Sequence, residues 1–141
     1  MASIKLEIVS PDRVVYSDDI AMLIVRSTGG ELGILPHHAP LVTGLLPHAM
    51  HVKFPDREKL IAVSGGFMEV QPEKITVLAS AAEEPINIDI NRAQRAYQRA
   101  KERINAFRSA SEPKEIDLQR AEAALRRAIA RLDATKTSYD K

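Results

Sequence analysis

The chain has 141 residues, with Lys+Arg 20 against Asp+Glu 19 and no Cys, a length for about one compact domain. The absence of cysteine excludes a disulfide framework, a Cys-based zinc site and a thiol nucleophile. No apolar run approaches the roughly 18 to 20 residues of a membrane span, and Met1-Ala2-Ser3-Ile4-Lys5 lacks the apolar stretch of a signal peptide, so a soluble intracellular protein is expected.

In chain order, Ile4, Leu6 and Ile8 alternate with Lys5 and Glu7, the period of a half-buried strand. Short Val- and Ile-rich runs then recur between turn formers: Val14-Val15-Tyr16, Ile20 to Val25, Leu60 to Val63 and Ile75 to Leu78, with further strands expected over Glu31 to Ile34, Leu41 to Leu46 and Met50 to Phe54. Strands this short, with turns about every ten residues, predict an antiparallel β-sandwich or barrel. Gly29-Gly30-Glu31-Leu32-Gly33 and Ser64-Gly65-Gly66-Phe67 sit between strands and open no helix, so they are read as turns and bulges and not as a phosphate loop. Asp18-Asp19 is read as a surface turn.

The pattern changes at Pro85. Asp89 is a good N-cap, and Ile90, Ala93, Tyr97, Ala100, Ile104 and Phe107 follow at steps of 3, 4, 3, 4 and 3, one stripe of a helix. After a break at Ser109 to Pro113, Leu118, Ala121, Leu125, Ala128 and Leu132 repeat the spacing. The short connection makes the two helices antiparallel neighbours. The expected organisation is a β-sandwich over residues 1–85 and a helical hairpin over 86–141, with helices about 89–109 and 113–134 and a frayed tail from Thr135. Many seam residues are Ala, which bury little apolar area, so the hairpin should dock weakly.

Charge follows the same division. Residues 1–85 carry 7 Lys/Arg against 11 Asp/Glu, a net of −4, whereas residues 86–141 carry 13 against 8, a net of +5. Adjacent histidines point to opposite faces of an extended segment, so His37-His38 with His48 and His51 is poor chelation geometry and no metal site is expected. No nucleophile-base-acid grouping points to catalysis. Arg92, Arg95, Arg99 and Arg103 lie along the first helix at steps of 3, 4 and 4, and Arg120, Arg127 and Arg131 along the second at steps of 7 and 4. Such faces either solvate the hairpin or bind an anion, a nucleotide or an acidic partner. Three Phe, three Tyr and no Trp leave little for base stacking, so a free-standing nucleotide or nucleic-acid module is the alternative reading.

Gly30-Glu31-Leu32-Gly33-Ile34-Leu35-Pro36-His37-His38-Ala39-Pro40-Leu41, with Val9-Ser10-Pro11-Asp12, Tyr16-Ser17-Asp18-Asp19 and Ser64-Gly65-Gly66-Phe67-Met68-Glu69-Val70, resembles the epsilon subunit of the bacterial F-type ATP synthase, called delta in mitochondria. The resemblance spans nearly the whole chain. It implies an N-terminal β-sandwich and a C-terminal helical hairpin in a non-catalytic rotor subunit, peripheral to the cytoplasmic face of the cell membrane and held there only through the complex. It implies as partners the gamma subunit, the c ring and the α and β subunits, with Glu31 facing the c ring, His38, Leu41 and Val42 approaching gamma, and the hairpin inhibiting ATP hydrolysis.

Some members bind ATP between sandwich and hairpin as a regulatory ligand, with no cofactor required. Their motif is matched by Ile88-Asp89-Ile90-Asn91-Arg92-Ala93, and Arg120-Ala121-Glu122 with Arg127 and Arg131 resembles the second-helix positions. The resemblance assigns phosphates to Arg92, Arg120, Arg127 and Arg131, and the adenine side to Glu83, Asp89 and Ala93. The segment Ala106 to Pro113 and the tail Thr135 to Lys141 look longer than in such members.

Overall fold

The computed structural model describes residues 2–111 and 114–138. Nine strands of five to seven residues and one of two precede two 20-residue helices: β1 (Ile4–Val9), β2 (Val14–Ile20), β3 (Met22–Ser27), β4 (Gly30–Ile34), β5 (Leu41–Leu45), β6 (His48–Lys53), β7 (Glu58–Val63), β8 (Gly66–Gln71), β9 (Lys74–Ala79), β10 (Ala82–Glu83), α1 (Ile90–Ser109) and α2 (Glu115–Ala134). The strands form two layers, β10-β7-β6-β3 with β4 on β3, and β5-β8-β9-β1-β2, joined where Ser27 of β3 pairs with Leu45 of β5. This is the expected sandwich. Its core is the set of inward positions that alternation selects: Ile4, Leu6 and Ile8 from β1, Leu23 and Val25 from β3, Met68 and Val70 from β8, and Ile75 and Val77 from β9.

Several local expectations are corrected. Ile20 to Val25 is not one strand: Ile20 ends β2 opposite Ile4, Met22 starts β3 opposite Lys53, and between them the Ala21 amide donates to the Lys53 carbonyl as the chain changes layer. Asp18-Asp19 is strand and not turn, because β2 stays paired with β1 through Asp18↔Leu6 and Asp19↔Lys5. Gly66 opens β8, a strand that the Gly-rich reading left as a turn. It takes φ +142°, and a Cβ there would lie 2.0 Å from the Leu78 carbonyl oxygen, so only glycine lets β8 meet β9 so closely. β1 and β9 pair in parallel from Lys5↔Lys74 to Val9↔Leu78. No hairpin constrains strands this far apart in sequence, and the intervening chain is long enough to return in the same direction.

One histidine is structural. His48 is buried, its Nε2 accepting from the Arg26 amide at 2.9 Å and its Nδ1 lying 2.6 Å from the Leu46 carbonyl. Nδ1 therefore carries the proton, and a second proton on Nε2 would face an N–H. Burial lowers the pKa of His48, opposed by the Leu46 bond. The unfolded chain then takes up the proton first, so stability is full above about pH 6.5 and declines as pH falls through the lowered folded value. Urea midpoints measured from pH 7.5 to 5 should fall more steeply for the native chain than for His48→Phe, which starts less stable. Equal slopes would remove this role.

Asp89 caps α1, its Oδ1 accepting from the Arg92 amide at 3.0 Å. Ala93, Tyr97 and Ala100 of α1 and Ala121, Ala128 and Leu132 of α2 are buried along the seam, as their spacing predicts. A second α2 face, Ala130 and Ala134, packs on Ala62, Ile88, Ala49 and Leu60, so α2 is the helix that seats on β6 and β7. The tail reading changes at its start. Lys136 adopts φ 55°, its amide donates to Asp133 and the Thr137 amide donates to Leu132. That is a Schellman cap formed without glycine. Residues 139–141 of the tail and Glu112-Pro113 of the connection lie outside the described residues.

Candidate functional site: an arginine-lined cleft

Where α1 leaves the sandwich, the hairpin and β10 enclose a cleft of about 420 Å³. Three levels of structure place its walls. The Asp89 cap starts α1 so that Arg92, Ala96, Arg99 and Arg103 share one side at steps of 4, 3 and 4. Antiparallel α2 brings Ala124, Arg127 and Arg131 opposite, and β10 adds Glu83 at the sandwich end. The floor is small and apolar, since Ala93 and Ala100 are buried beneath the arginines.

Two contacts tie the cleft to the sandwich. Arg131 Nε donates to Glu83 Oε1 at 2.7 Å, with both side chains about one-third exposed. Lys59 Nζ donates to Glu84 Oε1 at 2.9 Å and lies over the Tyr16 ring at 5.0 Å; the Glu84 bond raises the lysine pKa. Both ends of the Glu83-Glu84 pair are thus held by cations, one from α2 and one from β7. Among the described residues, Arg92, Arg99, Arg103 and Arg127 have no carboxylate within 4.0 Å. Four guanidiniums without counter-ions facing one recess create a positive potential that an anion with several oxygens would relieve, and the planar fork suits phosphate.

Of the residues the sequence singled out, Glu83, Asp89, Arg92, Ala93, Arg127 and Arg131 meet in this cleft. Arg120 does not; it lines an adjoining cleft with Arg103 and Lys114. Arg99 and Arg103 enter the site although the motif omits them. Their signal was the helical step from Arg92, which places all three on one side.

The other four candidates are not gathered in one place. Glu31 lies near the tip of the β3–β4 hairpin, opposite Arg26. His38 follows β4 in a loop, its Nδ1 2.7 Å from the Ala39 carbonyl. Leu41 packs on the core, and Val42 is 71% exposed on the outer face of β5. Sequence reasoning missed the apolar row beside Val42. Phe67 pairs with Leu78, Leu78 with Val9 and Val9 with Val14 across β8, β9, β1 and β2, and Phe67, Leu78 and Val14 are all more than half exposed. Among the described residues no group of three His, Cys, Asp or Glu is placed to hold a metal ion, and no helix is long and apolar enough to cross a membrane.

Comparison with known proteins places this architecture. Residues 3–85 match the family described as ATP synthase, Delta/Epsilon chain, beta-sandwich domain, and residues 87–136 match its long alpha-helix domain. The ATP synthase epsilon chain of Alkalihalophilus pseudofirmus is 48% identical over 106 residues, covering 75% of this chain and 80% of that one, and the epsilon chain of Bacillus subtilis gives the same values. The fold is also that of a chain in the mitochondrial ATP synthase of Euglena gracilis, at 23% identity and a TM-score of 0.77, covering 96% of this chain and 82% of that one. Both halves of the chain are thereby accounted for, and the protein belongs to the ATP synthase delta/epsilon chain family.

Proposed function

We propose that this chain is a non-catalytic rotor subunit of the ATP synthase central stalk, whose sandwich joins gamma to the c ring and whose hairpin, when released, extends toward the α and β subunits and hinders ATP hydrolysis. In this reading ATP occupies the arginine-lined cleft and holds the hairpin down, and the subunit stays on the cytoplasmic face of the membrane through the complex alone. The observation that carries it is the cleft, where four guanidiniums without carboxylate partners among the described residues converge between the hairpin and its seat.

The chemistry follows from the arrangement. Arg92, Arg99 and Arg127 would share the phosphate oxygens, while Glu83, Asn87 and Asp89 at the sandwich end would accept from the sugar and base. Because α1 and α2 both contribute arginines and Glu83 belongs to β10, a ligand bridging them exists only for the folded arrangement. It therefore shifts the population toward that arrangement; moving from 1:99 to 99:1 requires about 5.5 kcal/mol of differential binding. The Ala130 and Ala134 seat, being small, leaves the docked state weak enough for a ligand to decide.

The apolar row from Val42 to Val14 supports the sandwich as a docking surface. Contiguous exposed apolar side chains mark association sites. Affinity capture of the tagged full chain should bring down gamma with the α and β subunits, and removing residues 86–141 should keep gamma while raising ATP hydrolysis by the reconstituted complex several-fold. Capture of polynucleotide without gamma, or hydrolysis unchanged by the truncation, would overturn the reading.

A further inference from the structure

A second cleft, of about 510 Å³, lies toward the hairpin tip, lined by Arg103, Ala106, Phe107, Lys114, Arg120 and Ala121 among others. It is not a separate feature. Ala96, Ala100, Arg103 and Phe107 of α1 follow one another at steps of 4, 3 and 4, and Arg120, Ala124, Arg127 and Arg131 of α2 at steps of 4, 3 and 4. Such steps keep residues on one side of a helix, so the two clefts are successive stretches of one inter-helix groove. Arg103 belongs to both.

Charge along this groove is polarised. Its carboxylates at the sandwich end are Glu83 and Asp89; beyond them come Arg92, Arg99 and Arg127, then Arg103, and past it Lys114 and Arg120, with Asp117 the one carboxylate there among the described residues. Neither Lys114 nor Arg120 has a carboxylate within 4.0 Å among the described residues. From Arg92 to Arg103 the helix rises about 16 Å at 1.5 Å per residue. The cations thus continue past the place where the proposed triphosphate would end, over an apolar floor of Ala106, Phe107 and Ala121.

We propose that this groove accepts a polyphosphate chain longer than three phosphates, whose distal phosphates pass Arg103 to reach Lys114 and Arg120. The inference rests on the nucleotide reading of the first cleft for the orientation of the ligand. A charge-assisted contact or two added to the same anion should strengthen binding by about tenfold or more. The shared chemistry is a linear phosphate chain, carried by a nucleoside polyphosphate or by inorganic polyphosphate.

Calorimetry on the full chain tests it with ATP, inorganic tripolyphosphate and inorganic polyphosphate of about ten phosphates, a chain long enough to run past the roughly 16 Å from Arg92 to Arg103. The long chain should bind at least tenfold more tightly than tripolyphosphate, and the ratio should fall severalfold in Lys114→Gln/Arg120→Gln, whose side chains are exposed. Equal affinities in the native chain, or a ratio unchanged in the double variant, would overturn the inference while leaving ATP binding in place. If ATP fails to bind but the long polyphosphate binds and is weakened by the double variant, the groove stands and the nucleotide reading falls. If none of the three binds, both fall.

Discussion

Replacing Arg92 and Arg127 together by alanine is expected to lower the affinity of the full chain for ATP by a hundredfold or more. The two guanidiniums face the same cleft from opposite helices, and neither has a carboxylate partner among the described residues that would hold it away from a ligand. Charge-assisted hydrogen bonds contribute about 1.5 to 3 kcal/mol each, and 1.4 kcal/mol is a factor of ten. Both side chains are exposed, so circular dichroism should be unchanged. Arg95→Ala is the matched control: it removes the same charge from α1 on the side away from the cleft, and should change affinity by less than threefold. Calorimetry showing the double variant bound as tightly as the native chain would sink the site assignment.

Glu83 gives the cleft a different sensitivity. Its bond to Arg131 joins β10 to α2, so a phosphate in the cleft would compete for Arg131 but would meet Arg92, Arg99 and Arg127 without carboxylate partners among the described residues. A site in which every cation were already paired would have to break an ion pair for each contact formed. Here one ion pair links β10 to α2, and an anion in the cleft can leave that pair intact while meeting the remaining arginines.

How much of this was legible in the sequence depends on the element. The helix stripes were readable because steps of 3 and 4 continue without interruption over nearly five turns in α1 and about four in α2, and the same spacing placed Arg99 and Arg103 beside Arg92. Which arginines would face a recess was not readable, because that depends on the rotation of α2 about its axis. Two faces, Ala128-Leu132 toward α1 and Ala130-Ala134 toward β6 and β7, set that rotation. Among the strands, β1 announced itself by alternation. β8 did not, since Gly65-Gly66 signals a turn and the alternation of Met68 and Val70 against Phe67 and Glu69 begins directly after it. Ile20 to Val25 reads as continuous because Ile20, Leu23 and Val25 are all buried; the layer change at Ala21 is a tertiary fact. The cap at Lys136 lacks the glycine that usually marks one.

Leu132→Ala is expected to loosen the hairpin while leaving the sandwich intact. Leu132 is 0% exposed and packs with Ala93, Tyr97 and Ala128, with Leu125 and Ile129 only partly buried against them, so it is the largest aliphatic contribution to the buried part of this cluster. Truncating a buried leucine costs about 2 to 5 kcal/mol. The loss falls on α1 and α2 alone, because the sandwich core shares no residue with this cluster. Amide exchange across α2 should therefore accelerate about thirtyfold or more, with β1 and β9 unaffected. ATP at a hundred times its dissociation constant adds about 2.7 kcal/mol to the state that binds it, enough to return much of the protection in the variant. Acceleration spread equally over the β-strands would make hairpin and sandwich one cooperative unit, and a hairpin that cannot open alone cannot act as the switch. Acceleration confined to α1 and α2 but not reversed by ATP would instead leave the hairpin mobile and place control of it outside the cleft.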